Sequence, residues 1–383
     1  MLAVRAGRLF DGERGLRAGA VLVQDGRIVD VVTGDAPGSA TLVDLGPDAC
    51  LLPGLVDAHV HLAFDAGPNP VAAVEASDDP TLLARMREAA GRALRAGITT
   101  VRDLGDRSFL AIEVRRQLGA DGPEILAAGP PITVRGGHCH FFGGEAEGAE
   151  AIRAAVRARR DRGCQVVKVM ASGGNMTAGS DPESSQYGPG DLALVVAEAR
   201  DVGLPAAAHV HGPRAVADAV EAGFDTIEHV TFQTADGVRA DPRTLDRIAE
   251  SRIVVSATVG RVPGQEIPPA MARRAAAVLA NHARLYRAGA RIVPGTDAGI
   301  SLAKPHDVLP YGIEQLAGLG MSNGEALRAG TALAAEACAV GDRKGRLRAG
   351  YDADLLAVAG DPLTTLGTLH DVLAVFRAGH RVR

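Results

Sequence analysis

The chain has 383 residues, a formal net charge of −5 and 46% hydrophobic residues, enough to bury a substantial core. The modest charge and the scattered arginines argue against nucleic-acid binding. No run reaches the roughly 18 apolar residues that a membrane span needs, and we see no apolar signal segment at the N-terminus. The four cysteines are widely spaced, which is typical of free thiols in a reducing cytoplasm. Composition therefore predicts a soluble cytoplasmic protein without nucleic-acid or membrane partners.

Eight short apolar runs recur from Leu51 onward, and each is followed by polar residues and then by a helical stretch. Several helical stretches end on glycine, the residue that adopts the left-handed conformation after a helix. Alternating strands and helices predict βαβ units with a parallel sheet. The runs span residues 51–61, 98–103, 124–128, 165–170, 205–209, 226–230, 253–257 and 291–297, and helical periodicity covers residues 81–96, 149–162, 191–202 and 214–222.

Eight repeats favour an α/β fold closed into a (β/α)8 TIM barrel rather than an open sheet. An open sheet that binds a dinucleotide would carry Gly-x-Gly-x-x-Gly after its first strand, and this chain does not. Both ends of the chain instead alternate as β-strands do, with a hairpin signal at Asp25 and Gly26. We therefore predict a barrel over residues 52–344 and one composite β-sandwich domain from residues 1–51 and 345–383.

Two features of the runs concern metal binding at the C-terminal strand ends, the face where barrel enzymes place their active sites. His59 and His61 point to the same side, because side chains of an extended chain alternate with period two. Lys168 lies inside an apolar run, where burial would lower its pKa and leave a free amine. Such an amine can add carbon dioxide, and the resulting carbamate could bridge two cations. A lysine that extends from the strand end into solvent is the alternative.

His209, His229 and Asp297 add to this set, since they lie at the ends of the fifth, sixth and eighth runs. A lone histidine at such a position is more often a hydrogen-bonded core residue. Here imidazole and carboxylate groups from several strands share one rim, which suits Zn²⁺ and related divalent cations. The sequence therefore predicts a metal site at the barrel mouth.

These motifs resemble those of the amidohydrolase superfamily, and in particular of its imidazolonepropionase-like branch. The resemblance extends over essentially the whole chain. The motifs that carry it are PGLVDAHVH from Pro53, VKVMASGG from Val167, AHVHG from Ala208, IEH from Ile227, GTD from Gly295, GYDADL from Gly350 and GDP from Gly360.

The resemblance also implies an activity and a ligand set. Imidazolonepropionases lack the bridging lysine and use one metal, so Lys168 indicates the related two-metal peptidases. Those enzymes hydrolyse Xaa-Pro or Xaa-Arg/Lys dipeptides and N-acyl amino acids. We therefore expect a binuclear zinc amidohydrolase that cleaves such an amide bond by attack of a metal-bridging hydroxide. The implied ligands are His59, His61 and Asp297 for the first metal, His209 and His229 for the second, and Lys168 as N6-carboxylysine for the bridge.

The loop after the third run carries candidate substrate contacts. Its glycines let the backbone approach a ligand, and Arg135, His138 and His140 are potential anion contacts. In the related peptidases, the resemblance implies that a histidine of this loop binds the substrate's α-carboxylate. It also implies a tyrosine after the fourth run as the second contact, here Tyr187. His211 follows the fifth run, and we expect it beyond the barrel mouth, in contact with a ligand side chain or the substrate.

Several polar residues near the strand ends receive other roles. We expect Asp297 to accept the proton of the attacking water and pass it to the leaving amine. Glu228 precedes a ligand and is expected to orient its neighbours. His306 is a further candidate substrate contact. The histidines assigned to the surface or to packing are His282, His370 and His380.

Other activities stay open on the same scaffold. The metals could serve a lactone or cyclic-amide hydrolase or an esterase. A deaminase would bring a glutamate just after the histidine of the fifth run, whereas His211 is followed by Gly212 and Pro213. A binding protein with a vestigial site usually lacks ligands, and none is missing here. We further expect a small-molecule substrate and a homo-oligomeric assembly.

Overall fold

The computed structural model describes residues 1–34, 37–266 and 269–383. The strands in these ranges are β1 (Leu2–Ala6), β2 (Arg8–Phe10), β3 (Gly15–Leu16), β4 (Gly19–Gln24), β5 (Arg27–Thr33), β6 (Thr41–Asp44), β7 (Ala49–Pro53), β8 (Leu55–Val60), β9 (Ile98–Asp103), β10 (Glu124–Ala127), β11 (Val167–Met170), β12 (Ala206–Val210), β13 (Thr226–His229), β14 (Gln233–Thr234), β15 (Gly237–Val238), β16 (Val254–Ser256), β17 (Arg291–Val293), β18 (Leu355–Ala359), β19 (Val372–Arg377) and β20 (His380–Arg381). The helices are α1 (Pro70–Glu75), α2 (Asp79–Arg95), α3 (Leu110–Leu118), α4 (Gly148–Arg162), α5 (Pro189–Asp201), α6 (Pro213–Ala222), α7 (Pro242–Glu250), α8 (Pro269–Arg287), α9 (Leu309–Ala317), α10 (Asn323–Ala329) and α11 (Ala332–Ala337).

Eight parallel strands form the barrel wall, in the order β8, β9, β10, β11, β12, β13, β16 and β17. Two continuous ladders make up this wall, β8 to β10 and β11 to β17. Parallel bridges between Ile132 and Val169 and between Val60 and Ala298 join the ladders at both seams. All eight predicted runs therefore contribute a barrel strand, and the predicted (β/α)8 fold is confirmed.

Helices pack outside the barrel and begin where their sequences supply a first turn. The side chain of Asp78 accepts a hydrogen bond from the Thr81 N–H at 2.9 Å and caps α2. Pro189 and Pro213 occupy the first turns of α5 and α6, where a missing N–H costs nothing. These two helices therefore begin slightly earlier than their periodicity predicts. In the parts of the chain that the structure describes, no helix is long and apolar enough to cross a membrane.

The predicted first run, residues 51–61, is two strands rather than one. β7 ends at Pro53 and belongs to a terminal sheet, whereas β8 begins at Leu55 in the barrel. Between them, Gly54 passes so close to Thr99 that a Cβ there would lie 2.1 Å from the threonine Oγ1. The chain therefore changes sheets at Gly54, and the sequence merges two neighbouring apolar strands into a single run.

Two small sheets lie outside the barrel, the first built from N-terminal strands alone and the second from both ends of the chain. One has the strand order β5-β4-β1-β6, and the other has the order β20-β19-β18-β7-β2-β3. β7 pairs antiparallel with β18, so the two chain ends share a sheet. Val4, Leu9, Leu355 and Phe376 belong to one buried cluster that spans both sheets. We propose that the domains divide near residues 51 and 345, and the first of these lies within β7, just before the change of sheet at Gly54.

Candidate metal centre

The first cluster of candidate ligands joins the ends of β8 and β17. His59 lies in β8 and His61 directly follows it, while Asp297 follows β17 on a turn whose backbone N–H donates to the His59 carbonyl. The Nε2 atoms of His59 and His61 are 3.4 Å apart. Oδ1 of Asp297 lies 3.5 Å from the first of these nitrogens and 3.4 Å from the second. Three donor atoms therefore converge on one point.

The spacing of these atoms fits a bound cation. Two nitrogen ligands about 2.1 Å from a tetrahedral metal lie about 3.4 Å apart. Other groups occupy the Nδ1 atoms, since that of His59 lies 2.9 Å from Oε2 of Glu228 and that of His61 lies 3.2 Å from the Gly105 carbonyl. Such contacts fix the tautomer and leave each Nε2 free to bind a metal.

The second cluster consists of His209, His211 and His229, whose candidate ligand atoms lie within 4.8 Å of one another. Their ring centroids are 4.5 to 4.7 Å apart. A hydrogen bond engages one ring nitrogen of each histidine and leaves the other for a metal. The engaged pairs are His209 Nε2 with Gly173 O (3.1 Å), His211 Nδ1 with Thr231 Oγ1 (2.9 Å) and His229 Nδ1 with Thr258 Oγ1 (3.1 Å).

The position of His211 differs from the sequence-based expectation that it lies beyond the barrel mouth. β12 ends at Val210, and His211 directly after it is buried, with an exposed fraction of 8%. Its ring stacks on that of His229. The period-two alternation that aims His209 into the barrel also aims His211, because the chain turns away only at Gly212. A third imidazole therefore belongs to the second cluster.

The protonation states of both clusters suit metal binding. Burial lowers the pKa values of His59 and His211 to about 4, and it also lowers those of His209 and His229 well below their usual range. Burial alone would raise the pKa of Asp297, but its interactions with His59 and His61 bring it below its usual range. At neutral pH the imidazoles of His59, His209, His211 and His229 are therefore neutral and the Asp297 carboxylate is ionised, as metal ligands must be.

The cysteines do not compete with these ligands. All four are free and buried. Burial raises the pKa of Cys139 to about 12 and that of Cys338 to about 11, so both thiols stay protonated at neutral pH. A metal binds the thiolate rather than the thiol. Histidine and carboxylate groups are therefore the donors that this site offers.

Lys168 stands apart from the other lysines of the chain, Lys304 and Lys344. All three are buried. Lys304 donates to two backbone carbonyls at 2.6 Å, and Lys344 forms ion pairs with three carboxylates. Within the described ranges, Lys168 has no hydrogen-bond or ion-pair partner. Burial lowers its pKa to about 8, and its charge acts on His59 in the first cluster and on His209 in the second.

The predicted substrate contacts differ in their burial and in whether they contact the clusters. His138 is buried, its ring centroid lies 4.6 Å from that of His209, and its Nδ1 has no partner among the described residues. Arg135 is exposed and His140 is half-buried farther along the same loop. The Tyr187 hydroxyl donates to the Ala146 carbonyl at 2.7 Å, so its one hydrogen is already used. Of these four residues, the contacts place His138 beside the clusters.

Two buried cations near the site were missed by sequence reasoning. Arg102 in β9 is 1% exposed and donates to Oε1 of Glu228 at 3.1 Å. Lys304 follows β17 and donates to the carbonyls of Thr258 and Thr296, both next to the clusters. The sequence did contain a signal for Arg102. A charged residue inside the apolar strand ITTVRD needs a buried partner, and the same argument applies to Lys168.

Of three further histidines, His282 and His370 have the packing and surface positions expected of them, whereas the position of His306 differs from the expectation. His306 and His282 are buried, and their Nε2 atoms lie 3.0 Å and 2.9 Å from the carbonyls of His61 and His229. His306 therefore contacts the site's backbone, although it was expected to contact substrate. His370 is exposed and pairs with Glu314 at 3.0 Å.

Two histidine-rich clusters at the mouth of a barrel are the arrangement typical of a metal-dependent hydrolase. The chain belongs to the amidohydrolase family, whose model matches residues 50–382. It is thus a metal-dependent amidohydrolase that acts on carbon–nitrogen bonds. The resemblance to the imidazolonepropionase-like branch is confirmed by its relatives.

Ochratoxinase from Aspergillus niger is 28% identical over 364 residues, which cover 85% of this chain and 73% of that protein. Its crystal structure matches with a TM-score of 0.85 and 26% identity, over 100% of this chain and 95% of that chain. A Xaa-Pro dipeptidase with bound methionine in the active site matches with a TM-score of 0.87, 25% identity and 99% of both chains. A prolidase complexed with N-methylphosphonate-L-proline matches with a TM-score of 0.84 and 26% identity, over 100% of this chain and 99% of that chain.

Proposed function

We propose that the protein is a binuclear zinc amidohydrolase that cleaves the amide bond of a dipeptide or an N-acyl amino acid. The dipeptides we favour are Xaa-Pro and Xaa-Arg/Lys. The observation that carries this proposal is Lys168, a buried amine that has no partner among the described residues and whose charge acts on both clusters. The similarity to a Xaa-Pro dipeptidase and to a prolidase supports the choice of substrate.

Each cluster would hold one cation, and Lys168 would link them. The neutral amine of Lys168 adds carbon dioxide through a new nitrogen–carbon bond and releases one proton, which gives a carbamate with two oxygen donors. Two donor sets of imidazole and carboxylate groups suit Zn²⁺. When bound, the cations would polarise a substrate carbonyl and lower the pKa of a water molecule. The proposed ligands are His59, His61 and Asp297 in the first cluster and His209 and His229 in the second.

Asp297 would move the proton during the reaction. Its pKa lies below the usual range, so the carboxylate is ionised at neutral pH and offers an unprotonated oxygen to the proton that the attacking water loses. The same oxygen can then donate this proton to the leaving nitrogen, as general acid–base catalysis requires. Asp297 also has a left-handed backbone, with φ of 60°. Non-glycine residues in this region cost free energy and often mark active sites.

His138 would bind the α-carboxylate of the substrate. Burial lowers its pKa to about 3, so the ring is neutral and carries one N–H. Its Nδ1 has no protein partner among the described residues, although a buried polar atom without a partner is costly. A substrate carboxylate would supply that partner. Arg135, His140 and His211 are further proposed contacts of the substrate, and Tyr187 would join them only by giving up its hydrogen bond to the Ala146 carbonyl.

A substrate panel on the zinc-loaded protein tests this proposal. We expect turnover of Xaa-Pro, Xaa-Arg or N-acyl amino acids, and at least tenfold lower kcat/KM for matched amides whose α-carboxylate is blocked as an amide. The His138→Gln variant should raise KM for the free acids and leave the blocked amides unchanged. If the free acids are inert while lactones or cyclic amides turn over, the proposed substrate class is wrong.

A further inference from the structure

In each candidate metal cluster, the backbone carbonyl of one ligand is contacted by a histidine from outside the cluster. Nε2 of His282 lies 2.9 Å from the carbonyl oxygen of His229, in the second cluster. Nε2 of His306 lies 3.0 Å from the carbonyl oxygen of His61, in the first cluster. A carbonyl only accepts, so each Nε2 carries the hydrogen. Each cluster therefore has one such histidine, which donates a hydrogen bond to the backbone of a candidate ligand.

His282 donates a hydrogen bond to a strained backbone segment. It lies on α8 and is 1% exposed, and its other nitrogen, Nδ1, has no partner among the described residues. A leucine would fill this space without a buried unpaired nitrogen, so packing alone does not explain a histidine. The carbonyl that it contacts belongs to a rare turn, since His229 and Val230 both have left-handed φ values, 70° and 50°. Such residues cost free energy and persist only where neighbours hold them.

His306 holds the turn that carries the first cluster. It follows β17 in the chain, and the intervening Gly299 has φ of 105°. A Cβ at Gly299 would lie 2.4 Å from the His61 carbonyl oxygen and 3.0 Å from Nε2 of His306, so only glycine fits this approach. The His61 N–H also donates to the Ala298 carbonyl at 2.9 Å. His306 therefore ties the His61 backbone to the turn that carries Asp297.

We propose that His282 and His306 are positioning residues, each of which fixes the backbone of one metal ligand and thereby sets the affinity of one metal site. The proposal rests on the two-metal centre described above. Outer partners of metal ligands typically change affinity by 10–100-fold when they are lost. Because each histidine contacts one cluster, its loss should weaken one metal site and spare the other.

The experiment is a zinc titration of metal-free protein against a chromophoric chelator, which measures both dissociation constants without any turnover. His282→Leu should weaken one of the two equivalents by about 10–100-fold and leave the other unchanged. His306→Leu should do the same to the opposite equivalent. Glutamine can place an N–H near the position of Nε2, so His282→Gln and His306→Gln should restore binding to within a few-fold of the parent.

Reference variants assign each equivalent to its cluster. In a His229→Ala background, which lacks a ligand of the second cluster, adding His282→Leu should have no further effect on the remaining site. In a His61→Ala background, the same substitution should weaken the remaining site. Such non-additivity is expected only for residues that act on one site.

Three results would overturn the inference or its foundation, and they are distinguishable. If the parent protein binds fewer than two equivalents, the proposed binuclear function fails. If the parent binds two and both leucine variants bind as tightly, the positioning role fails. If either leucine variant weakens both equivalents alike and glutamine does not rescue, the histidine only supports the fold, which also contradicts the positioning role.

Discussion

Nδ1 of His59 lies 2.9 Å from Oε2 of Glu228, and the other oxygen of that carboxylate lies 3.1 Å from the guanidinium of Arg102. All three side chains are at most 1% exposed. Burial alone would raise the pKa of Glu228, but the charge of Arg102 and the hydrogen bond of His59 hold it well below its usual range. An ionised Glu228 keeps the proton of His59 on Nδ1 and presents Nε2 to the first metal site.

We therefore predict that Glu228→Gln weakens the first metal site by about 10–100-fold and leaves the second unchanged. The amide keeps the size of the side chain but loses the charge that balances Arg102 and polarises His59. Zinc titration of the metal-free variant measures this. Glu198→Gln is the matched control, because Glu198 is also buried and pairs with Arg153 at 2.9 Å. Unaltered binding at both sites of Glu228→Gln would contradict the role of this carboxylate.

Substitution of Asp297 should slow the chemical step and leave substrate binding almost unchanged. In metal-saturated Asp297→Asn, we expect kcat to fall by about 10²–10⁴-fold while KM changes little, since an amide cannot carry the proton. Steady-state kinetics with a turned-over dipeptide measures both constants, and metal analysis of the same sample confirms saturation. Near-normal kcat in this variant would rule out Asp297 as the proton carrier.

A covalent carbon dioxide adduct should be found on Lys168 and on no other lysine. Both Lys168 and Lys304 have pKa values that burial lowers to about 8, so both amines are partly neutral near neutral pH. Lys304 already donates to two carbonyls at 2.6 Å, whereas Lys168 has no partner in the described ranges. Native mass spectrometry of zinc-loaded protein should therefore show the mass of one added carbon dioxide.

This adduct should disappear in Lys168→Ala and persist in Lys304→Gln. Depletion of carbon dioxide during zinc loading should lower activity, and bicarbonate should restore it. A native mass without the adduct in an active, zinc-loaded sample would contradict the carbamate bridge.

Gly174→Ala should displace His138 without loss of metal. A Cβ at Gly174 would lie 2.3 Å from Nε2 of His138, whose ring is buried and has little room to move. We expect KM for carboxylate-bearing substrates to rise at least tenfold while two zinc equivalents remain bound. Gly190→Ala is the control, because a Cβ there has no neighbour within 4 Å. Equal KM values for the two variants would argue against His138 as the carboxylate contact.

The acid stability of the fold should depend on Glu124. Burial alone would raise its pKa, but Arg343 and Lys344 lower it to about 2. A lowered pKa stabilises the folded state above the unfolded value near 4.5, and this contribution is lost as the pH falls towards 2. Glu124→Gln should therefore lower the free energy of unfolding by on the order of 2 kcal/mol at pH 7, and by almost nothing near pH 2.

Urea unfolding of metal-free protein at several pH values measures this difference. Glu113→Gln is the control, because the pKa of Glu113 is also lowered to about 2, but by exposed partners that solvent screens. We expect no measurable change in that variant. A loss in Glu124→Gln that is the same at pH 7 and pH 2 would show that packing, rather than charge, is responsible.

The barrel and the positions of the candidate metal ligands were predictable because both follow from the chain's local order. A parallel strand buried on both faces reads as an apolar run, and a ligand at its end directly follows that run. The change of sheet at Gly54 was not predictable, because its cause is the close approach of Thr99, which is distant in sequence. For the same reason the donors to backbone carbonyls, Lys304 and His282, carry no sequence signal.

His211 and Tyr187 show the limit for side chains near the rim. The sequence places both close to the site, but whether a side chain faces the metals depends on where the strand stops and on which carbonyl lies nearby. His211 joins the second cluster because the alternation of β12 continues one residue past the strand end, and the Tyr187 hydroxyl instead donates to the Ala146 carbonyl. Such details depend on tertiary contacts that one sequence does not contain.

Metal stoichiometry tests the two-metal centre most directly. Protein purified without chelators and analysed by inductively coupled plasma mass spectrometry should contain two equivalents of a divalent metal per chain. Lys168→Ala, which lacks the proposed bridge, should retain about one equivalent under the same conditions. A parent protein that binds a single equivalent under saturating zinc, at full activity, would contradict the binuclear centre.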